Sequence, residues 1–536
     1  MKEIFKKRFF TEFTKVQLYL IAGNFILVFF LILLSNLGIL PIGNLGDFTF
    51  FFFLILAFAL YRPGWAFLIF IGTIALENIN LAPALLGSAV RPYQFFGAIV
   101  ILAMLVRGIA RRLSFSPEKP KWYDFLAIMI ITGSLISALG SPDKALSFKL
   151  SVILASFVVL YFLIRNYVRD IDDLRKVFPI FLSSSSVVVL YAIWQSLRFT
   201  RDLIPYEVMP GRPNSTFAEA DWLGIFLVIL IPVIYSLVYF KQDTYGNIEK
   251  KYRWKEFLFP YFFLALAFIV LLLTVSRSAW LGVFVETAFF LLIVLSGFKF
   301  DLKNWQWKMF SGSLARIFLT FAIALGAIYL FHLSRFQFFS RAQSVGSGLQ
   351  KITISCLPGA ESPESVNTVE QLEKLGCRHI NLEDIEREIT GGNVVKTIYR
   401  NDPNVNIRKE IYGKSWLAIK KNPLTGIGWG SIGKMLGTDE RGANLNASNI
   451  FLEVWLGSGI LGLLAFLALW IYVLLRNISN LIRAEIADER AFAVFAIVSW
   501  FGLTVANLFN SGIMLGLLWL FLAISLIETR AHANRN

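Results

Sequence analysis

Residues 16–40 read VQLYLIAGNFILVFFLILLSNLGIL, a stretch without a single charged side chain. A helix rises 1.5 Å per residue, so about 20 apolar residues cross the roughly 30 Å of hydrocarbon in a bilayer. The run therefore reads as a transmembrane span. Lys6-Lys7-Arg8 precedes it and no small-residue cleavage site follows, so the reading is a first span entering from the cytoplasm, not a cleaved signal.

Working outward, apolar runs recur at 48–61, 64–80, 92–107, 122–140, 146–164, 174–197, 221–240, 256–274, 279–297, 315–333, 449–475, 491–508 and 512–529. The expected fold class is an all-α polytopic membrane protein of about 14 transmembrane helices. The second and third runs are short and parted only by Arg62-Pro63. If they form a hairpin that does not cross, the count is about 12.

Composition agrees. Of 536 residues 56% are hydrophobic and 16% charged, with a mean hydropathy of +0.63, whereas soluble domains carry about 25% charged residues. The 52 phenylalanines suit a surface facing lipid, because in water such a surface would aggregate. The net charge of +15 is spread over many short loops rather than gathered on one face, which argues against nucleic acid as a partner.

Lys and Arg accumulate on the cytoplasmic side of membrane proteins. With the N-terminus inside, alternation assigns that side Lys6-Lys7-Arg8, Arg111-Arg112, Lys119, Lys121, Arg165, Arg169, Arg175-Lys176, Lys250-Lys251, Arg253, Lys255, Lys299, Lys303, Lys308, Arg476, Arg483 and Arg490. The short outer loops keep Arg91, Lys144, Arg198, Arg201, Arg212 and Arg277. The expected organisation is an N-terminal bundle over 1–333, an extracytoplasmic loop or cap over 334–447, C-terminal helices over 448–530 and a cytoplasmic tail over 531–536.

The loop is expected to be partly helical. Glu370–Leu375 and Asn381–Ile389 have short helical patterns. Asn406–Lys421 reads as an amphipathic helix with Ile407, Ile411, Trp416 and Ile419 on its apolar side, stopped at Asn422-Pro423. Cys356 and Cys377 both fall in this loop. An oxidising exterior would permit a disulfide between them; two free thiols held too far apart are the alternative.

Several polar residues at the membrane boundary need a reason. Arg277, in the hinge Thr274-Val275-Ser276-Arg277-Ser278, must lie near headgroup level, where such a residue lines a pathway or snorkels to lipid phosphate. Arg212 lies in Gly211-Arg212-Pro213-Asn214-Ser215-Thr216-Phe217, whose Gly, Pro, Asn and Ser make a tight loop that can aim a side chain. Asn449 and Glu453 are four residues apart and so share one helix face, beside Ser448. Glu286, near the middle of its span, needs a proton, a partner or an aqueous cavity. Ser183–Ser186 reads as close helix packing. No Walker loop, dinucleotide fingerprint or HExxH occurs, and His332, His379 and His532 are too scattered for a zinc site.

Three segments, in order, resemble the O-antigen ligase and O-antigen polymerase family of bacterial membrane glycosyltransferases. Gly211-Arg212 with Thr216-Phe217 is similar to that family's Arg loop. Thr274-Val275-Ser276-Arg277-Ser278 is similar to its S-R-G turn. Asn422-Pro423-Leu424-Thr425-Gly426-Ile427-Gly428-Trp429-Gly430, with Ser448-Asn449-Ile450-Phe451-Leu452 and Gly459-Ile460-Leu461-Gly462-Leu463, resembles its Gly-rich turn and H-N-x-x-L element. The resemblance covers about residues 200–475. Where the family's ligases have His, this chain has Ser448, which fits a polymerase or a divergent transferase more easily.

The resemblance implies a metal-independent, inverting glycosyltransferase of the bacterial cytoplasmic membrane, without a cofactor. It would move a glycan from undecaprenyl diphosphate to a glycan or lipid acceptor on the outer face. Arg212 and Arg277 would bind the diphosphate, with Arg408 and Arg400 as further contacts. Asn449, Glu453 and Ser448 would handle the acceptor hydroxyl. The competing classes are a lipid-linked oligosaccharide flippase or secondary transporter, which about fourteen helices and Glu286 would suit but the large outer loop and the lack of a two-halves repeat oppose, and a non-catalytic assembly protein.

Overall fold

The computed structural model describes residues 15–529, apart from 88, 114–115, 210, 246–249, 298–304, 335–348, 361–362, 367–369, 381–384, 402 and 438–444. Among the basic residues assigned to the cytoplasm, Lys6-Lys7-Arg8, Lys299 and Lys303 lie outside these, as does the tail 531–536.

The bundle begins with α1 (Lys15–Asn36), α2 (Leu45–Tyr61), α3 (Pro63–Gly72), α4 (Pro92–Ile109), α5 (Asp124–Gly140) and α6 (Lys144–Tyr167). It continues through α7 (Ile171–Thr200), α8 (Ala220–Tyr245), α9 (Lys250–Thr274), α10 (Arg277–Ser296) and α11 (Trp307–Leu330). Among the described residues, nine helices are long and apolar enough to cross a membrane, and α2, α3, α5 and the Leu258–Thr274 part of α9 are shorter apolar helices.

The run read as 64–80 is helical only over Pro63–Gly72, ten residues. At 1.5 Å per residue that is about 15 Å, half a hydrocarbon core. It stops at Thr73, whose hydroxyl turns back onto the carbonyls of Ile69 and Phe70, and the chain then runs irregularly to α4. Buried polar groups hold that irregular stretch. Glu77 accepts from Arg91 and Tyr93 and from the Gly516 N–H, and Asn78 N–H donates to Thr216 O at 2.8 Å.

The segment after α11 contains more than the helices read from sequence. Strands β1 (Leu349–Cys356), β2 (Ser365–Val366), β3 (Cys377–His379) and β4 (Val394–Asn401) form a sheet in the order β2-β4-β1-β3. The short helices α12 (Glu370–Lys374) and α13 (Ile385–Thr390) flank it. Its own small core is Ile352, Ile354, Val366, Leu372 and Ile398. Cys356 and Cys377 face each other across β1 and β3 and are joined as a disulfide. Glu388 accepts from Ser355, Arg378 and Asn393, which hold its carboxyl below the usual range. The alternation Ile352-Thr353-Ile354 was the strand signal.

The chain returns through α14 (Pro403–Lys421) and α15 (Trp429–Leu436) into α16 (Ile450–Arg483), α17 (Ala487–Asn507) and α18 (Gly516–Ile524). The last apolar run is thus a 3-10 turn at Gly512–Met514 followed by a nine-residue helix. Burial ranks the helices: 94% of the apolar window of α8 is enclosed by protein against 17% for α1, so α8 is the central post and α1 a peripheral one.

The helix ends sort into two groups. At one end, Arg165 pairs with Asp124 and Glu118, Lys121 with Glu528, and Arg175 with Asp172 and Asp488, while Arg476 donates to Ile527 O. The other end carries the loop between α7 and α8, the α9–α10 turn, the α17–α18 linker and the start of α16. We refer to these as the basic end and the loop end.

A candidate site where three boundary motifs meet

The hinge 274–278 is a two-residue reversal between α9 and α10. Val275 adopts a positive φ of 53°, which turns the chain back at once and leaves Ser276 as the N-cap of α10 without a side-chain cap bond. The first N–H groups of α10 therefore point out at the loop end beside Arg277, which is half-buried as the helix's first residue. Such an uncapped N-terminus carries partial positive charge and favours anions.

Arg212 reaches this hinge from the preceding loop. Its Nε donates to Thr274 O at 2.9 Å, and its Nη2 meets Asp221 Oδ1 at 3.2 Å. The Arg loop is itself braced. Gly211, at φ 73°, donates its N–H to Glu207 Oε2 at 2.7 Å, and Arg212 N–H returns to Met209 O. Burial pushes the Glu207 carboxyl up to about 7 against the opposing pull of that N–H. Below the loop, Ser215 donates to Val188 O and Thr216 to Ala75 O, which seats the whole segment on the bundle.

From the hinge the contacts pass to the α17–α18 linker, Leu508-Phe509-Asn510. Asn510 Nδ2 donates to Ser278 Oγ at 2.9 Å, and Leu508 O accepts from Asn449 Nδ2 at 3.2 Å. Asn449 also caps α16, its Oδ1 accepting from the N–H groups of Phe451 and Leu452. Ser448 has a positive φ of 47° and donates its N–H to Asn446 Oδ1 at 2.8 Å. Glu453 is buried one turn inside α16 and accepts from the Ala447 N–H, so it fixes the turn from beneath.

Helix α14 lies over this point. The Tyr412 hydroxyl sits 3.3 Å from Ser448 O and 3.2 Å from Leu508 O, and the Arg408 guanidinium stands 5.5 Å from the centre of the Phe509 ring. Arg400 is placed elsewhere, in β4 opposite Gln350 of the sheet; its side chain lies outside the described residues.

The Gly-rich turn plays a supporting part. The N–H groups of Ile427 and Gly428 both donate to Leu456 O, and Ile460 N–H donates to Leu424 O, so the turn plugs the kink where Gly459 leaves helical geometry at φ 65°. Trp429 Nε1 donates to Ser134 Oγ, Gly430 N–H to Ser147 Oγ, and Lys434 pairs with Asp143. A Cβ on Gly457 would enter the Trp429 indole. These contacts clamp the start of α16 to α5 and α6.

The structure thus brings Arg212, Arg277, Ser448, Asn449, Glu453 and Arg408 to one end of the bundle, and leaves the backbone of Arg400 in the sheet. Sequence reasoning missed Asp221, Tyr412, Glu207 and the Leu508–Asn510 linker. The linker had a signal: Asn510-Ser511-Gly512 is the polar break between the last two apolar runs.

Glu286 is fully buried, its carboxylate packed on Gly502 of α17, and neither oxygen has a hydrogen-bond partner among the described residues.

Fold and site together define a multi-pass membrane protein with a polar, arginine-bearing site at one end of its helical bundle. Residues 262–467 match the family described as O-antigen ligase, a span that includes the α9–α10 hinge, the Gly-rich turn and the start of α16, and this match supports the resemblance to the O-antigen ligase and polymerase family. Arg212 precedes the matched residues. No curated protein sequence matches the chain.

Proposed function

We propose that the chain is a glycosyltransferase that takes a glycan from undecaprenyl diphosphate and adds it to a glycan or lipid acceptor at the outer face of the bacterial cytoplasmic membrane. One observation carries the reading: three motifs far apart in sequence are joined at the loop end through Arg212–Thr274, Ser278–Asn510 and Asn449–Leu508. The concentration of paired Arg and Lys at the opposite end supports an outward-facing loop end, because cations mark the cytoplasmic side.

In this reading the acceptor hydroxyl oxygen attacks the anomeric carbon. The bond from that carbon to the diphosphate oxygen breaks, its electron pair leaves with the diphosphate, and the hydroxyl proton passes to a base or water. Displacement from the opposite face inverts the anomeric centre. Arg277 and the N-terminus of α10 stabilise the charge gathering on the leaving diphosphate, a task suited to a planar, permanently charged guanidinium. Arg212 completes the cation pair and holds the hinge through Thr274 O. Arg408, on α14, closes over the site. Ser448 and Asn449 orient the acceptor, and Glu453 holds their turn and can receive the proton when it releases Ala447.

The test is transfer in liposomes carrying a lipid-diphosphate glycan only in the leaflet facing the loop end. Release of undecaprenyl diphosphate with lengthening of the acceptor supports the proposal, and lipid crossing between leaflets without transfer refutes it. Arg277→Ala should lower turnover about 100-fold, the cost of one electrostatic donor in a transition-state site. Normal turnover in a folded Arg277→Ala protein would remove that residue from the mechanism.

A further inference from the structure

Helix α14 has two faces with different fates. Ile411, Ser415 and Ile419 are buried against the bundle, at 3%, 0% and 2% exposure. Trp416 and Leu417, about 100° and 200° around the helix from that face, are 48% and 60% exposed, and Leu424, just past its end, is 73% exposed. Large apolar side chains side by side on the uncovered half of a helix mark a contact surface. The strip runs directly onto a membrane-spanning helix. Trp416 meets Trp455 of α16 edge to face at 6.1 Å, and Trp455 Nε1 donates to Pro423 O at 2.9 Å, tying the end of α14 to the first turns of that span. Its rim is cationic: Lys420 lies 5.7 Å from the centre of the Trp416 ring, with Lys421 next in sequence.

We infer that α14 is an interfacial helix whose Trp416–Leu417–Leu424 strip seats in the headgroup and upper acyl region of the bilayer at the loop end. Tryptophan concentrates at that depth, because an apolar body with one polar N–H suits the boundary, and lysines beside it meet lipid phosphates. A second protein would not require continuity with the lipid-facing surface of α16, whereas a bilayer does. The consequence is mechanical: α14 also carries Arg408 and Tyr412, so anchoring it fixes both at headgroup depth, above the Leu508–Phe509 linker. The inference stands whether or not the transferase reading holds.

The experiment uses the full chain in nanodiscs of phosphatidylethanolamine and phosphatidylglycerol. Leu417→Cys and Leu424→Cys are each labelled with an environment-sensitive fluorophore, and Glu373→Cys in α12, beside the sheet, serves as reference. Both sites are already exposed, so folding should survive, and Cys356 and Cys377 are bridged and take no label. With nitroxide groups high on the lipid acyl chains, the Leu417 and Leu424 labels should lose most of their emission and shift to the blue, while the Glu373 label keeps its emission. Equal quenching at all three sites would overturn the inference. So would labels at Leu417 and Leu424 shielded from both nitroxide lipid and aqueous iodide, which would mean that protein covers the strip.

Discussion

Arg212 spends most of its guanidinium on the protein itself, holding Thr274 O and Asp221 at once. A lysine keeps the charge but lacks the planar fork that serves two acceptors set apart. Arg212→Lys should therefore lower transfer about 10- to 100-fold, the value of one or two hydrogen bonds to a charged group, with little change in thermal stability. Near-normal transfer would show that charge alone suffices there. Glu207 supplies a pH-dependent counterpart. Its carboxyl is raised by burial to about 7 from 4.5, so the folded state binds its proton more tightly than the unfolded chain does. That contribution is fully present below about pH 4.5 and lost as pH rises through about 7. The unfolding temperature should fall across this window, and Glu207→Gln, which keeps an acceptor for Gly211 N–H, should flatten that part of the profile. An unchanged profile would mean that Glu207 is not the titrating group.

At the scale of elements, the Gly-rich turn and the kink of α16 form one joint. Gly426 has φ 70°, and a Cβ there would collide with the carbonyls of Leu456 and Trp455. Gly392 has φ 83° but nothing within 4 Å of a would-be Cβ. The pair separates backbone strain from crowding. Gly392→Ala should cost about 1–2 kcal/mol through its left-handed backbone alone. Gly426→Ala should add about 1–3 kcal/mol of overpacking and loosen the joint that presents Ser448 and Asn449. Hydrogen exchange at Gly392 and thermal unfolding of the bundle for Gly426 measure the two; equal, small effects would mean that the joint yields freely.

For the whole molecule, the sheet behaves as an insertion. Leu349 and Asn401 are opposed across β1 and β4, so the chain leaves and returns at neighbouring points, about 5 Å apart. Replacing residues 349–401 by a short glycine linker should leave the unfolding temperature of the helical bundle unchanged. A fall of many degrees would show that the sheet braces the bundle. The disulfide within it, closing a loop of 21 residues, contributes on the order of 3 kcal/mol by restricting the unfolded chain. Cys356→Ser with Cys377→Ser should open that region to limited proteolysis and leave the bundle intact.

Much of this was legible in sequence, because a bilayer imposes one rule on long segments: apolar throughout, with backbone polar groups satisfied internally. That rule identifies the long helices, and the charges at their ends suggest their direction. Arg212 and Arg277 stood out as polar residues in short joints between apolar runs, and Asn449 as a polar residue at the entry to a span. Short segments escaped it. Whether 64–80 is a span depends on Glu77 finding Arg91, Tyr93 and Gly516 from distant stretches, and only the assembled bundle decides that. The sheet in the loop escaped for a related reason, since strands are stabilised by partners far along the chain and carry weak local signals. The meeting of the three motifs through Leu508–Asn510 belongs to the tertiary structure as well. Sequence composition determines which segments can enter a membrane, whereas side-chain packing between segments determines which of their ends touch.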